Sequence, residues 1–236
     1  MKRIACVIAA LAVCIALALP ATRACAAPGT RTVYLIRHGD YNYNDPKDEV
    51  TGRGLTRLGR EQAKFVATRL SQLPVPIRSL HSSMLLRAVQ TADVVAGVLK
   101  LPVDHDSLLN ECTPPTNRPD IMATLRPGEA DSAQAQLDRA WFQYFDVSQN
   151  GDAHDVLVCH GNVIRWFVCR ALGADTKQWG SMEIGNCSMT IITIKPDGTA
   201  RLVMFDDVSH IPVAKQTWAG AGPGWAKPKK QNPRMH

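Results

Sequence analysis

Short apolar runs alternate along this chain with segments of helical spacing, and that alternation constrains the fold more than any other feature. Thr32 to Ile36 (TVYLI) and Asp155 to Cys159 (DVLVC) read as buried strands, and Ile77 to His81 and Leu101 to His105 as shorter ones. Helical patterns fill Thr56 to Leu73, Ser83 to Leu99, Asp131 to Val147 and Asn162 to Leu172. In the first of these, Leu58, Phe65, Val66, Leu70 and Leu73 offer an apolar face, and Thr56 can cap the start. Ser188 to Lys195 and Thr199 to Phe205 predict a hairpin across Pro196-Asp197-Gly198. Residues 40–54 form a polar loop, and Asn110 to Gly128 a Pro-rich excursion. Strand–helix alternation predicts an α/β three-layer sandwich, a mostly parallel central sheet with helices on both faces.

Such sheets bind ligands at the carboxyl ends of their strands. Two motifs fall there: Arg37-His38-Gly39 after the first strand, and Cys159-His160-Gly161-Asn162 after Asp155–Cys159. Ser83 to Ala92 opens a helix after another strand and carries Arg87, and Glu111 begins the Pro-rich excursion. Singly, each residue is ordinary: a lone His at a strand end is usually structural, and a lone Arg on a helix a solvated charge. Jointly, two His and two Arg at one sheet edge call for an anion, and a phosphoryl group fits. Arginine forks bind phosphate oxygens bidentately, and helix N-termini after Gly39 and His160 add backbone N–H groups.

These motifs, together with Leu55-Thr56-Arg57-Leu58-Gly59-Arg60-Glu61-Gln62-Ala63, resemble those of the histidine phosphatase superfamily, which includes the phosphoglycerate mutases. The likeness runs from about Thr32 to about Asp207. His81-Ser82-Ser83-Met84, Asn162-Val163-Ile164-Arg165 and Val168-Cys169-Arg170-Ala171-Leu172 resemble in particular the mitochondrial Ser/Thr protein phosphatases of phosphoglycerate mutase family member five. That branch's Trp-Asp oligomerisation motif is missing upstream.

The resemblance and the chemistry together give roles. His38 would be the nucleophile, forming a phosphohistidine. Arg37, Arg87 and His160 would bind the equatorial oxygens, His160 best in its protonated form. Glu111 would protonate the leaving oxygen and then deprotonate water. Asn44 and Gly161 would contact the phosphate. No cofactor is implied, and no cysteine or histidine spacing suggests a metal site. The reading is a metal-independent phosphatase of phosphomonoesters, with Ser/Thr phosphoproteins as possible substrates. The alternative is an exported phosphatase of small or envelope-sugar phosphoesters. A phosphoglycerate mutase is disfavoured by Tyr41, where mutases favour Ser, and by export. A non-catalytic phosphate-binding module should lack one of the five key residues, and all are present.

Domain limits follow from the ends. Lys2 and Arg3, the apolar run Ile4 to Leu19, and Ala24-Cys25-Ala26 predict a signal peptide over residues 1–26 and a periplasmic or secreted protein. A retained membrane anchor is the alternative; the run is short for a span of ~20 residues. The histidine phosphatase domain is placed at 27–215 and a disordered basic tail at 216–236. Losing Lys2, Arg3 and Arg23 lowers the net charge from +6 to +3, and no basic stripe suggests nucleic acid as a partner. An exported protein could pair Cys112, Cys159, Cys169 and Cys187, yet their spacings match no disulfide framework, and Cys159 and Cys169, flanking an apolar helix start, read as small core residues. Oligomeric state has no signature in the sequence.

Overall fold

A computed structural model describes residues 27–48 and 50–218. The leader expected at 1–26 and the tail from 219 onward lie outside the described residues.

The strands are β1 (Pro28–Arg37), β2 (Ser79–Ser82), β3 (Asp104–His105), β4 (Gly151–Cys159), β5 (Met189–Ile194) and β6 (Ala200–Asp207). The helices are α1 (Arg57–Ser71), α2 (Leu86–Leu99), a single turn α3 (Pro119–Met122), α4 (Glu129–Tyr144) and α5 (Gly161–Ala171). The strands form one sheet in the order β3-β2-β4-β1-β5-β6. Pairing is parallel from β3 through β1 and antiparallel at β1–β5 and β5–β6. The sheet is therefore mixed: the expected hairpin is present, and it joins β1 antiparallel.

The two-residue period of each strand divides the core. Val33, Leu35, Leu157, Cys159, Ile192 and Ile194 point to one face, where Leu137 and Ala140 of α4 and Val163, Ile164 and Phe167 of α5 cover them. Tyr34, Ile36, Leu80, Val156 and Val158 point to the other, against Ala63, Val66 and Leu70 of α1 and Ala88, Ala92 and Val95 of α2. All four cysteines of the described residues are free thiols.

Three local departures matter for the site. Helix α2 starts at Leu86 rather than Ser83, because side chains take the backbone donors of the preceding turn. Leu85 N–H donates to Ser83 Oγ (3.1 Å) and Met84 N–H to Asn110 Oδ1 (2.9 Å). The first turn of α1 is pressed against the loop after β1: a Cβ on Gly59 would lie 1.9 Å from Asp40 O, and one on Gly39 2.6 Å from Gly59 O. Only glycine permits that approach. Finally, Gln216, Thr217 and Trp218, assigned by composition to the tail, belong to the fold. Thr217 Oγ1 donates to Asn186 Oδ1 (2.8 Å), and Trp218 is buried against Gly185. Gln62 Nε2 donates to Lys215 O (2.7 Å), while its Oε1 accepts from Asp40 N (2.8 Å). One glutamine thus links the closing segment of the chain to the loop after His38.

Candidate active site

The carboxyl ends of β1, β2 and β4 bring Arg37, His38, Ser83 and His160 together, all buried. His38 leaves β1 with its N–H on Cys159 O (3.0 Å), and its carbonyl accepts from Asn186 Nδ2 (3.1 Å). Thr91 Oγ1 accepts from Gly39 N (3.1 Å) and donates to Arg87 O (2.7 Å), tying the His38 loop to α2. Arg87 is buried beside it.

These bonds fix the chemistry of His38. Its Nδ1 lies 2.8 Å from Gly39 O, a pure acceptor, so Nδ1 carries the proton. The lone pair is then on Nε2, where Arg87 Nε donates at 3.3 Å. Burial, with Arg37, His160 and Arg87 nearby, pushes the His38 pKa well below the usual imidazole value, and the neutral form prevails. A neutral, oriented imidazole is what nucleophilic attack needs.

His160 caps α5, its ring 5.1 Å from that of His38. Burial, then Arg87 and Arg37, holds its pKa well below the usual value as well. The protein alone thus favours neutral His160, and the protonated form expected from sequence is the one beside a bound phosphate. A dianion between the guanidiniums offsets two of those three causes and favours the proton.

Glu111 sits on the loop after Leu109, half-buried. Burial raises its carboxyl pKa, and Arg87, Arg165 and Arg37 oppose the rise without cancelling it. The carboxyl therefore keeps its proton to higher pH than an exposed glutamate, as a general acid requires. Asn162 Nδ2 donates to Cys112 O (2.9 Å), anchoring this loop to α5.

Three buried polar atoms here have no hydrogen-bond partner among the described residues: Arg37 Nε, His160 Nδ1 and Glu111 Oε1. Buried polar atoms are nearly always satisfied, and each orphan costs about 1–3 kcal/mol. Three in one site mark a place for an oxoanion carrying a protonatable oxygen.

Gly161 lines a small polar cavity with Arg37, Glu111, Asn162, Arg165, Glu183 and Ile184. A Cβ at Gly161 would stand 3.2 Å from Ile184 Cγ2, so the cavity wall needs a small residue. Asn44 is not brought in: it is exposed on the 41–54 loop. Tyr41 stands there instead, its ring edge-on to His38 at 5.0 Å and beneath the Arg87 guanidinium at 4.9 Å. Arg165 received no role from sequence, although its motif was visible. Its guanidinium donates to Gly161 O (3.0 Å), Met182 O (2.5 Å) and Asn162 Oδ1 (2.6 Å) and lies over Trp179. It forms the cationic wall facing Glu111.

The profile of the histidine phosphatase superfamily, branch 1, matches residues 33–116 and 114–207. The chain belongs to the histidine phosphatase superfamily. This histidine phosphatase is 35% identical over 196 residues to the mitochondrial serine/threonine-protein phosphatase Pgam5 of Caenorhabditis elegans, covering 80% of this chain and 67% of the relative. It is 31% identical over 202 residues to the human PGAM5, covering 81% and 67%. The chain thus spans about two thirds of these relatives. Among solved structures it matches phosphoglycerate mutase from Plasmodium falciparum at 25% identity and a TM-score of 0.55, covering 78% of this chain and 95% of that one. The alpha-ribazole phosphatase of Shigella flexneri shares the fold at 20% identity and a TM-score of 0.57, covering 75% and 96%. The protein is a phosphatase.

The relatives also bring a correction. They are mitochondrial by name, which overturns the exported, periplasmic or secreted location expected from residues 1–26; the membrane-anchored alternative rests on residues 4–19, which lie outside the described residues. A basic start, an apolar run and a small-residue site fix charge and hydrophobicity but not the machinery that reads them. Among the described residues no helix is long and apolar enough to cross a membrane. Export had been one of two grounds against a mutase; Tyr41 is the ground that stands.

The orphaned atoms carry a direct prediction. Orthovanadate, binding the folded state alone, raises the thermal midpoint by an amount that grows with its concentration, reaching about 2.7 kcal/mol of added stability at 100 times its dissociation constant. Differential scanning fluorimetry reads it, and Arg37→Ala removes most of the shift.

Proposed function

We propose that this phosphatase hydrolyses phosphomonoesters through a phosphohistidine on His38, without a metal ion, and that phosphorylated Ser/Thr proteins are its substrates. The observation that carries the reaction is the pairing of a proton-free His38 Nε2 with Arg37 Nε, His160 Nδ1 and Glu111 Oε1 lacking partners around it. In the first step the Nε2 lone pair attacks phosphorus, the bond to the leaving oxygen breaks, and Glu111 gives that oxygen its proton. In the second, water attacks phosphorus, the Glu111 carboxylate takes the water's proton, and the N–P bond breaks. Phosphate leaves and neutral His38 returns. Arg87 Nε, on the nucleophile's lone pair beforehand, turns to an equatorial oxygen as the bond forms. Arg37, Arg87 and protonated His160 supply the positive charge that a metal supplies elsewhere.

The substrate class rests on the relatives, which are named as Ser/Thr protein phosphatases. A panel of phosphoserine, phosphothreonine and phosphotyrosine peptides, para-nitrophenyl phosphate and 3-phosphoglycerate, assayed with a chelator present, tests it. Ser/Thr phosphopeptides should exceed the small esters at least about tenfold in kcat/KM, a difference of about 1.4 kcal/mol in transition-state binding. Equal or better turnover of 3-phosphoglycerate would count against the protein-substrate reading, and loss of all activity to the chelator against the metal-free one.

A further inference from the structure

Ser83 and Asn110 belong to none of the roles above, yet they decide how His160 is presented. The register of the sheet places them. Ser82 pairs with Val158 across β2 and β4, so the next residues, Ser83 and then His160, emerge side by side at the strand ends. Ser83 Oγ is fully buried, 2.7 Å from His160 Nε2 and 2.9 Å from Asn110 Oδ1.

The proton positions follow by elimination. Met84 N–H, an obligate donor, points at Asn110 Oδ1 (2.9 Å), which identifies that atom as oxygen. The single Ser83 hydroxyl proton must therefore go to Asn110. Ser83 already accepts from Leu85 N–H (3.1 Å). At 2.7 Å from an oxygen with no proton left to give, His160 Nε2 must donate. That leaves Nδ1 as the atom for the site, and Nδ1 is buried without a partner. Arg87 of α2 and Arg37 of β1 are the charges acting on it, and His38, after β1, is the neighbouring imidazole.

We propose that Ser83 is the positioning residue of His160, and Asn110 the anchor of Ser83: together they hold His160 as the Nε2–H form and aim Nδ1 at the substrate phosphoryl group. The proposal rests on His160 as an oxoanion ligand. It also joins the two halves of the reaction, because Asn110 directly precedes Glu111: the residue that sets the anion-binding histidine carries the acid next to it. Both act through the His160 ring, Ser83 directly and Asn110 through Ser83.

Tungstate, a dianion across neutral pH, is the probe, with the full chain as the protein. Its inhibition constant is measured for wild type, Ser83→Ala, Asn110→Ala and His160→Gln, each checked for wild-type circular dichroism. In parallel, the hydrogen-bonded imidazole Nε2–H proton of His160 is followed by 1H–15N NMR, assigned by its loss in H160Q. S83A should weaken tungstate about tenfold or more, the worth of one hydrogen bond to a charged group. S83A should also raise KM more than it lowers kcat, and lose the protected Nε2–H signal. N110A should do the same in weaker form, and it decides alone if S83A does not fold. A tungstate constant within twofold of wild type in the folded variant, or a retained Nε2–H signal, overturns the proposal. If H160Q itself binds tungstate like wild type, the oxoanion role of His160 fails, and the positioning role falls with it. An S83A that binds normally beside an H160Q that does not refutes the positioning role alone.

Discussion

His38→Ala lowers kcat/KM by on the order of 10⁴ to 10⁶, the range found when a covalent nucleophile is removed. The variant is informative because the scaffold does not depend on the imidazole. The His38 backbone is held by Cys159 O, Asn186 Nδ2 and Cys187 N, none of which involves the side chain. Gly39 O loses a side-chain donor, and Arg87 Nε loses an acceptor that phosphate oxygens replace. H38A should therefore fold and still bind vanadate while failing to turn over. Wild type quenched in mid-reaction with a 32P-labelled substrate should show an acid-labile, base-stable phosphoprotein, and H38A none. If H38A retained more than about 1% of wild-type activity, or still carried the label, the phosphohistidine route would be wrong and the nucleophile would have to be sought elsewhere.

What sequence could and could not convey divides along a physical line. Patterns with a period were legible: Val33 and Leu35 against Tyr34 and Ile36 announce a strand buried on both faces, and both pairs sit as that predicts. The strand-end placement of Arg37, His38 and His160 followed from fold class, because a parallel sheet has one ligand-binding edge. Contacts that depend on register had no local signal. Ser83 meets His160 because β2 lies beside β4, and Gly39 meets Gly59 because α1 crosses the loop after β1. Arg165 stood in plain view of its motif, but its three carbonyl partners span residues 161 to 182. Asn44 fails for the converse reason. It was placed by its distance from His38 along the chain, whereas the loop, pinned by Tyr41 opposite Leu55, turns it to solvent and the tyrosine to the nucleophile.

Glu111 gives the second large effect, and its pH dependence has a definite sign. Burial lowers the His38 pKa and raises that of Glu111. Attack needs neutral His38, so activity is lost as pH falls through the lowered histidine pKa. Protonation of the leaving oxygen needs neutral Glu111, so kcat/KM is lost as pH rises through the raised carboxyl pKa. The profile is therefore a bell whose acid limb lies below the usual imidazole value and whose alkaline limb lies above the usual carboxyl value. Glu111→Gln should cost about 10² to 10⁴ in kcat/KM on a phosphoserine peptide and should erase the carboxyl's alkaline limb. The substrate's own second ionisation, near about 6, occurs with both proteins and cancels in the ratio of their profiles. The loss should shrink on para-nitrophenyl phosphate, because nitrophenolate departs without a proton and the first step no longer needs the acid. A carboxyl that merely braced the loop, by accepting from the Asn162 backbone N–H, would depress both substrates equally and leave the limb in place. Equal losses on the two substrates would thus remove Glu111 from the reaction, whereas unequal losses with a vanished limb locate the transferred proton on its carboxyl.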